Sequence, residues 1–150
     1  MEHLKATTLV FEDSVTTLSD GVSPQVVLGV GIGDLASKVF RHDPPAPSEM
    51  EQAIDLVEDA LAATGLKRAE RADLLISDEP LCTLLGLLTT GSRVTGEEVE
   101  AKFQRLASVS LGHPGLLDGL PSGGSGGRVA AALLVLRECV HHLGFAGVVR

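Results

Sequence analysis

Residues 129–143 form the most apolar helix-length run in the chain, and every other element has to be placed around it. Val129, Ala132, Leu133, Leu136, Val140 and Leu143 recur at i, i+3, i+4, i+7, i+11 and i+14, which is one stripe of an α-helix. In the first half the remaining positions are Ala130, Ala131, Leu134 and Val135, so that half is apolar all round and must be enclosed on several sides. The second half reads as amphipathic. Arg137, Glu138, His141 and His142 fall on an outer arc, and Gly144 supplies the left-handed residue that ends a helix.

A chain of 150 residues is long enough to enclose such a helix in one domain, 1–150, without disulfides or metals. Its two cysteines, Cys82 and Cys139, lie far apart and form no CxxC pair, which fits reduced thiols in a cytoplasm. The start of the chain lacks the basic segment and apolar core of a signal peptide. The most apolar run is interrupted by Arg137 and Glu138 before it reaches membrane-spanning length, so no membrane association is expected. A net charge of −8, with four Phe and no Tyr or Trp, argues against nucleic acid, which requires a basic groove and stacking rings.

The N-terminal third reads as strands. Residues 6–12 hold Thr7, Thr8, Leu9, Val10 and Phe11, residues 15–18 return as a short antiparallel partner, and residues 25–30 form a further strand. That strand runs into Gly29, Gly31 and Gly33, followed by a short helix at 35–40 for which Asp34 is the expected cap. The glycine spacing is neither that of a dinucleotide fold nor that of a P-loop, and Asp34 would repel an anion there. Tight turning or close backbone packing is the simpler role for these glycines.

Further along, Ser48 and Glu51 have the spacing of a capping box, ahead of a helical stripe of Met50, Ala53, Ile54, Val57 and Leu61 that ends at Gly65. His42 and Asp43 in the proline-rich connector before it read as a solvated pair. Asp55 and Glu58 could both reach one cation but sit on what reads as a solvent face. Residues 73–77 suggest a short strand, and a helix follows from Asp78 with Leu81, Leu84, Leu85 and Leu88 at helical spacing. Thr95 and Glu98 form a second capping box, opening a helix that carries Val99, Phe103 and Leu106 and stops near Gly112. Residues 145–149 close the chain as a strand. The expected fold is α+β: a helix-rich single domain of four or five helices with a small N-terminal antiparallel or mixed sheet, to which the last strand can add.

Chemistry can concentrate at the two ends of the 129–143 helix. Before it, Gly123, Gly124, Ser125, Gly126, Gly127 and Arg128 read as a loop that offers backbone amides, a hydroxyl and a guanidinium at a helix N-terminus, a place for an anion. The loop also needs no ligand to exist. Gly123-Gly-Ser125-Gly-Gly127 matches the letters of a hydrolase elbow, with His113 and Asp118 as formal partners, but no strand precedes it. At the other end Glu138, Cys139, His141 and His142 are the densest potential metal ligands. A di-iron bundle would need a second E-x-x-H, which is missing, and pairing of Glu138 with His142 at i, i+4 explains them without a metal. No metal site is therefore assigned, and the cofactor is unknown.

These features give two readings of function. The first is an oligomeric or partner-binding module without an evident catalytic motif, a homo-oligomer being the simplest assembly. The alternative is an enzyme or sensor for a small phosphate- or anion-containing ligand held at the glycine segment. The sequence leaves open whether the chain is an enzyme.

Overall fold

The computed structural model describes residues 6–112 and 124–150, except for the side chains of 124 and 125. The strands are β1 (Thr7–Phe11), β2 (Thr16–Ser19), β3 (Val26–Leu28), β4 (Leu74–Leu75), β5 (Arg93–Thr95) and β6 (Gly147–Val149). The helices are α1 (Ile32–Asp34), α2 (Pro47–Ala63), α3 (Glu79–Leu85), α4 (Gly96–Ser110) and α5 (Gly124–Leu143), and a π-helical turn, Leu35–Val39, continues α1. The strands make one mixed sheet in the order β3-β2-β1-β4-β6-β5. β1, β2 and β3 are joined antiparallel, β4 lies parallel to both β1 and β6, and β5 closes the far edge antiparallel to β6. This is the expected α+β fold, with a sheet that extends beyond the N-terminal strands.

The alternation of the first three strands decides which face packs inward. Leu9 pairs with Leu18 and Leu18 with Val26, and Leu9 and Leu18 are buried. The next row, Val10, Thr17 and Val27, is on the opposite face, where both valines are about half exposed at 46% and 54%. β5 has only three residues, and its last, Thr95, also caps α4. That dual use hides the strand from a reading of sequence periodicity.

α5 is the axis of the molecule and packs against α1, the π-helical turn, α2, α3 and α4. Ala130, Ala131, Ala132, Leu133, Leu134, Val135 and Leu136 have no solvent exposure, as an all-round apolar segment requires. The helix begins at Gly124, not after a glycine loop, so Gly124, Ser125, Gly126, Gly127 and Arg128 belong to its first turns. Each glycine costs a helix roughly 1 kcal/mol relative to alanine. Packing outweighs that cost here: Gly126 is buried, and an added Cβ at Gly127 would touch the Ala36 side chain at 3.6 Å.

Two expected caps change. α2 starts at Pro47, and Glu49, not Glu51, reaches back to its start, accepting a hydrogen bond from the Ala46 N–H at 2.9 Å. Pro47 has the φ and the missing donor suited to a first helical position, which moves the start ahead of Ser48. Asp34 is not a cap either: the helical segment begins at Ile32 with Gly31 before it, and Asp34 pairs with Lys38 at 3.5 Å. The other caps agree with expectation. Asp78 accepts from the Leu81 N–H, Thr95 and Glu98 complete their reciprocal box, and Gly112 and Gly144 have positive φ at helix ends; α3, by contrast, stops at Leu85 before the left-handed Gly86, which leaves Leu88 outside the helix and exposed.

Candidate functional site

The start of α5 meets two other segments. Between β1 and β2, Glu12 and Val15 close a tight turn through a 3.0 Å backbone bond. The N–H groups of Ile32 and Asp34 donate to the carbonyls of Glu12 and Asp13 at 3.1 and 2.8 Å, so the turn is seated on the start of α1. This contact explains the glycines after β3. A Cβ on Gly31 would lie 2.2 Å from the Asp13 carbonyl oxygen, and one on Gly33 would lie 2.6 Å from the Asp13 carboxylate. Close backbone packing is therefore their role. Two of the three α1 amides that an anion would need, those of Ile32 and Asp34, are thus already bonded to carbonyls.

Arg128 reaches the same turn from α5, donating through Nη1 to Oδ1 of Asp13 at 2.7 Å. Asp13 is largely exposed and Arg128 about half exposed, so the pair contributes only about 0–1 kcal/mol. An arginine held this weakly can exchange one anion for another. The first turn of α5 contains no acidic residue, and the leading N–H groups of any helix lack intrahelical acceptors. Arg128 and the helical residues Gly124 to Gly127 are thus gathered at one place, with Asp13 as the present occupant of the guanidinium. Gly123, His113 and Asp118 are outside the described residues, so the serine constellation has no geometry to test.

The far end of α5 departs from the sequence reading. Glu138 is not on a polar arc; it has no solvent exposure. Its Oε2 accepts from Arg137 Nη1 at 2.9 Å and lies 3.6 Å from His142 Nε2, while Oε1 is buried with no hydrogen-bond partner. Burial raises the Glu138 carboxyl pKa above the ordinary range, against the lowering influence of Arg137 and His142. Arg137 also forms a two-point pair with Glu100 of α4, at 2.6 and 3.1 Å, and this bond lowers the Glu100 pKa. His142 Nε2 lies 3.0 Å from Oε2 of Glu58 on α2. Glu58, Glu138 and His142 therefore converge, whereas Cys139 is fully buried, its thiol raised by burial to about 12. His141 is exposed and sits edge-on to His142 at 5.2 Å between ring centroids.

Two other features carry less chemistry. His42 turns to Glu49, its Nδ1 2.9 Å from Oε2, and is not isolated with Asp43 in a solvated loop pair. A cleft of about 640 Å³ opens between α4 and the end of α5, lined by Arg68 and Arg137 but also by Glu97 and Glu100. Charges of both signs give it no consistent preference for an anion. Among the described residues no helix is long and apolar enough to cross a membrane.

The architecture defines the class first: a mixed sheet whose three N-terminal strands are antiparallel, extended in parallel by β4 and β6, with one buried helix at its centre. This arrangement is shared by about half of each chain in a group of solved phosphatase structures. A Ppx/GppA phosphatase of Aquifex aeolicus, described as the type II variant, aligns over 99% of this chain and 53% of its own, with a TM-score of 0.74 and 13% identity. An exopolyphosphatase from Cytophaga hutchinsonii aligns over 99% of this chain and 53% of its own, at a TM-score of 0.67 and 11% identity. An exopolyphosphatase-like protein gives 0.65 at 14% identity, over 91% of this chain and 49% of its own. The chain thus spans about half the length of the solved structures it matches. No protein-family model matches the sequence, and no curated protein matches it.

Proposed function

We propose that this chain handles a phosphate-containing ligand, which it receives at the start of α5 through Arg128 and the leading backbone amides of that helix. The observation that carries this reading is the alignment of nearly the whole chain, at TM-scores up to 0.74, with half of enzymes named as Ppx/GppA phosphatases and exopolyphosphatases. It favours the phosphate reading over a module without chemistry. The local physics is compatible: a helix N-terminus without acidic residues, beside a guanidinium whose existing partner is weak. A phosphate offers Arg128 two acceptor oxygens where Asp13 engages it through one.

The test is thermal unfolding in phosphate, short-chain polyphosphate or chloride at constant ionic strength. At a ligand concentration ten times the dissociation constant, stabilisation is about 1.4 kcal/mol, or roughly 3–5 °C for a domain of this size. Arg128→Ala is expected to abolish that shift. A shift of equal size in the variant, or none in the wild-type chain, would refute the assignment.

A second reading follows from the half-length match. We propose that the chain works against another protein unit, in the same polypeptide or a separate one, that stands where the other half of the longer enzymes stands. The half-exposed valines Val10 and Val27, which flank the buried Thr17 on one face of the sheet, are apolar surface available for that contact. Light scattering across micromolar concentrations tests the homo-oligomeric form; a constant monomer mass would rule it out.

A further inference from the structure

We propose that Glu58, Glu138 and His142 form a binding site for one divalent transition-metal ion of the zinc class, clamping α2 to the C-terminal end of α5. One potential ligand atom from each residue lies within 4.8 Å of the other two. Ligands about 2.0–2.1 Å from a tetrahedral zinc ion are themselves separated by about 3.3 Å. Here Nε2 of His142 is 3.0 Å from the Glu58 oxygen and 3.6 Å from the Glu138 oxygen, values on either side of that separation. Small side-chain adjustments suffice to surround an ion.

The independent sign of a missing ligand is Glu138. It has no solvent exposure, its carboxyl group faces His142, and Oε1 has no hydrogen-bond partner. A buried carboxylate oxygen without a partner is costly, and a cation beside it removes the deficit. Local charge points the same way. Three carboxylates gather around a single arginine: Arg137 pairs with Glu100 and Glu138, while Glu58 meets His142. Arg137 donates to Glu138 while gripping Glu100, the outer hydrogen bonding that orients a metal-binding carboxylate. One imidazole and two carboxylates suit zinc and its neighbours better than calcium or magnesium, which favour all-oxygen shells. Glu58 and His142 are partly exposed, so the ion has an entry path and water can fill the fourth position.

The site is at the opposite end of α5 from Arg128, so its fate is independent of the phosphate reading. The test is calorimetric titration of the whole chain with zinc chloride in phosphate-free buffer, beside thermal unfolding with and without the metal. Wild-type protein is expected to take up one ion per chain and to unfold at a higher temperature with zinc. His142→Ala and Glu58→Ala are each expected to weaken binding at least tenfold, while His141→Ala, which removes the exposed neighbouring imidazole, keeps the wild-type affinity. Glu58 is at the surface, so Glu58→Ala decides the matter even if changes at Glu138 prevent folding. Absence of saturable binding to the wild-type chain, or unchanged affinity in His142→Ala and Glu58→Ala, would overturn the site.

Discussion

Neutralising Glu49 should cost stability in a pH-dependent way. The Glu49 carboxylate accepts from the N–H groups of Ala46, Arg41 and His42 at 2.9, 3.1 and 3.3 Å, and meets the His42 ring nitrogen at 2.9 Å. Burial alone would raise its pKa, but these donors favour the ionised form and bring it from 4.5 to about 2. A folded-state value below the unfolded one contributes stability that is fully present above pH 4.5 and is lost as pH falls toward 2. The shift corresponds to at most about 3.4 kcal/mol at neutral pH, and screening at the helix edge reduces this to about 2 kcal/mol. By the same linkage, less than about half of the contribution survives at pH 3. Urea unfolding of wild-type and Glu49→Gln protein should therefore differ by about 2 kcal/mol at pH 7 and by less than about 1 kcal/mol at pH 3. Because other carboxylates titrate in both proteins, the difference isolates Glu49. A gap that stays constant from pH 7 to pH 3 would refute the reasoning.

Two further substitutions examine the turn between β1 and β2. Gly31 has φ −126°, a backbone any residue adopts, so Gly31→Ala tests space alone: its Cβ would meet backbone atoms of Asp13 and Ser14 at 2.2–2.4 Å. A loss of about 3 kcal/mol in urea unfolding is expected, and a loss under about 1 kcal/mol would contradict the packing. Asp13→Asn keeps the backbone carbonyl that receives the Asp34 N–H but removes the charge competing for Arg128. Phosphate should then bind more tightly by about twofold to fivefold in calorimetric titration, at little cost in stability; weaker binding would mean that Asp13 supports the site.

The sequence exposes what depends on local pattern and conceals what depends on distant partners. The all-round apolar half of α5 announces its own burial, because residues 130–136 offer no polar face to solvent. Thr95 and Glu98 are legible because both halves of their box lie within four residues. The box ahead of α2 is misplaced because Ser48 and Glu51 have the right letters, whereas Pro47 as the first helical residue moves the cap two residues earlier, to Ala46, and hands the role to Glu49. Glu138 is misplaced for a different reason. A helical wheel puts it opposite the apolar stripe, but α2 and α4 cover that side too, through Glu58, 84 residues from His142, and Glu100, 37 residues from Arg137. No local period carries such separations. The available signal is an isolated acid beside an arginine on a helix whose preceding turns are wholly apolar.

That burial also explains why the polar chemistry of α5 collects at its ends. A segment with no exposed atom from Ala130 to Leu136 can anchor the fold but cannot meet a ligand. The dipole of a 20-residue helix then gives the ends opposite character: a positive start without acids in its first turn, and a negative finish with His141 and His142 in its last. An anion suits the first and a metal-binding imidazole the second. The helix is roughly 30 Å long, so screening at ordinary salt separates the two ends electrically. Each end therefore serves as a control for the other. Arg128→Ala should leave zinc affinity intact and His142→Ala should leave the phosphate response intact, whereas loss of both in either variant would mean that the substitution had disturbed the rigid middle they share.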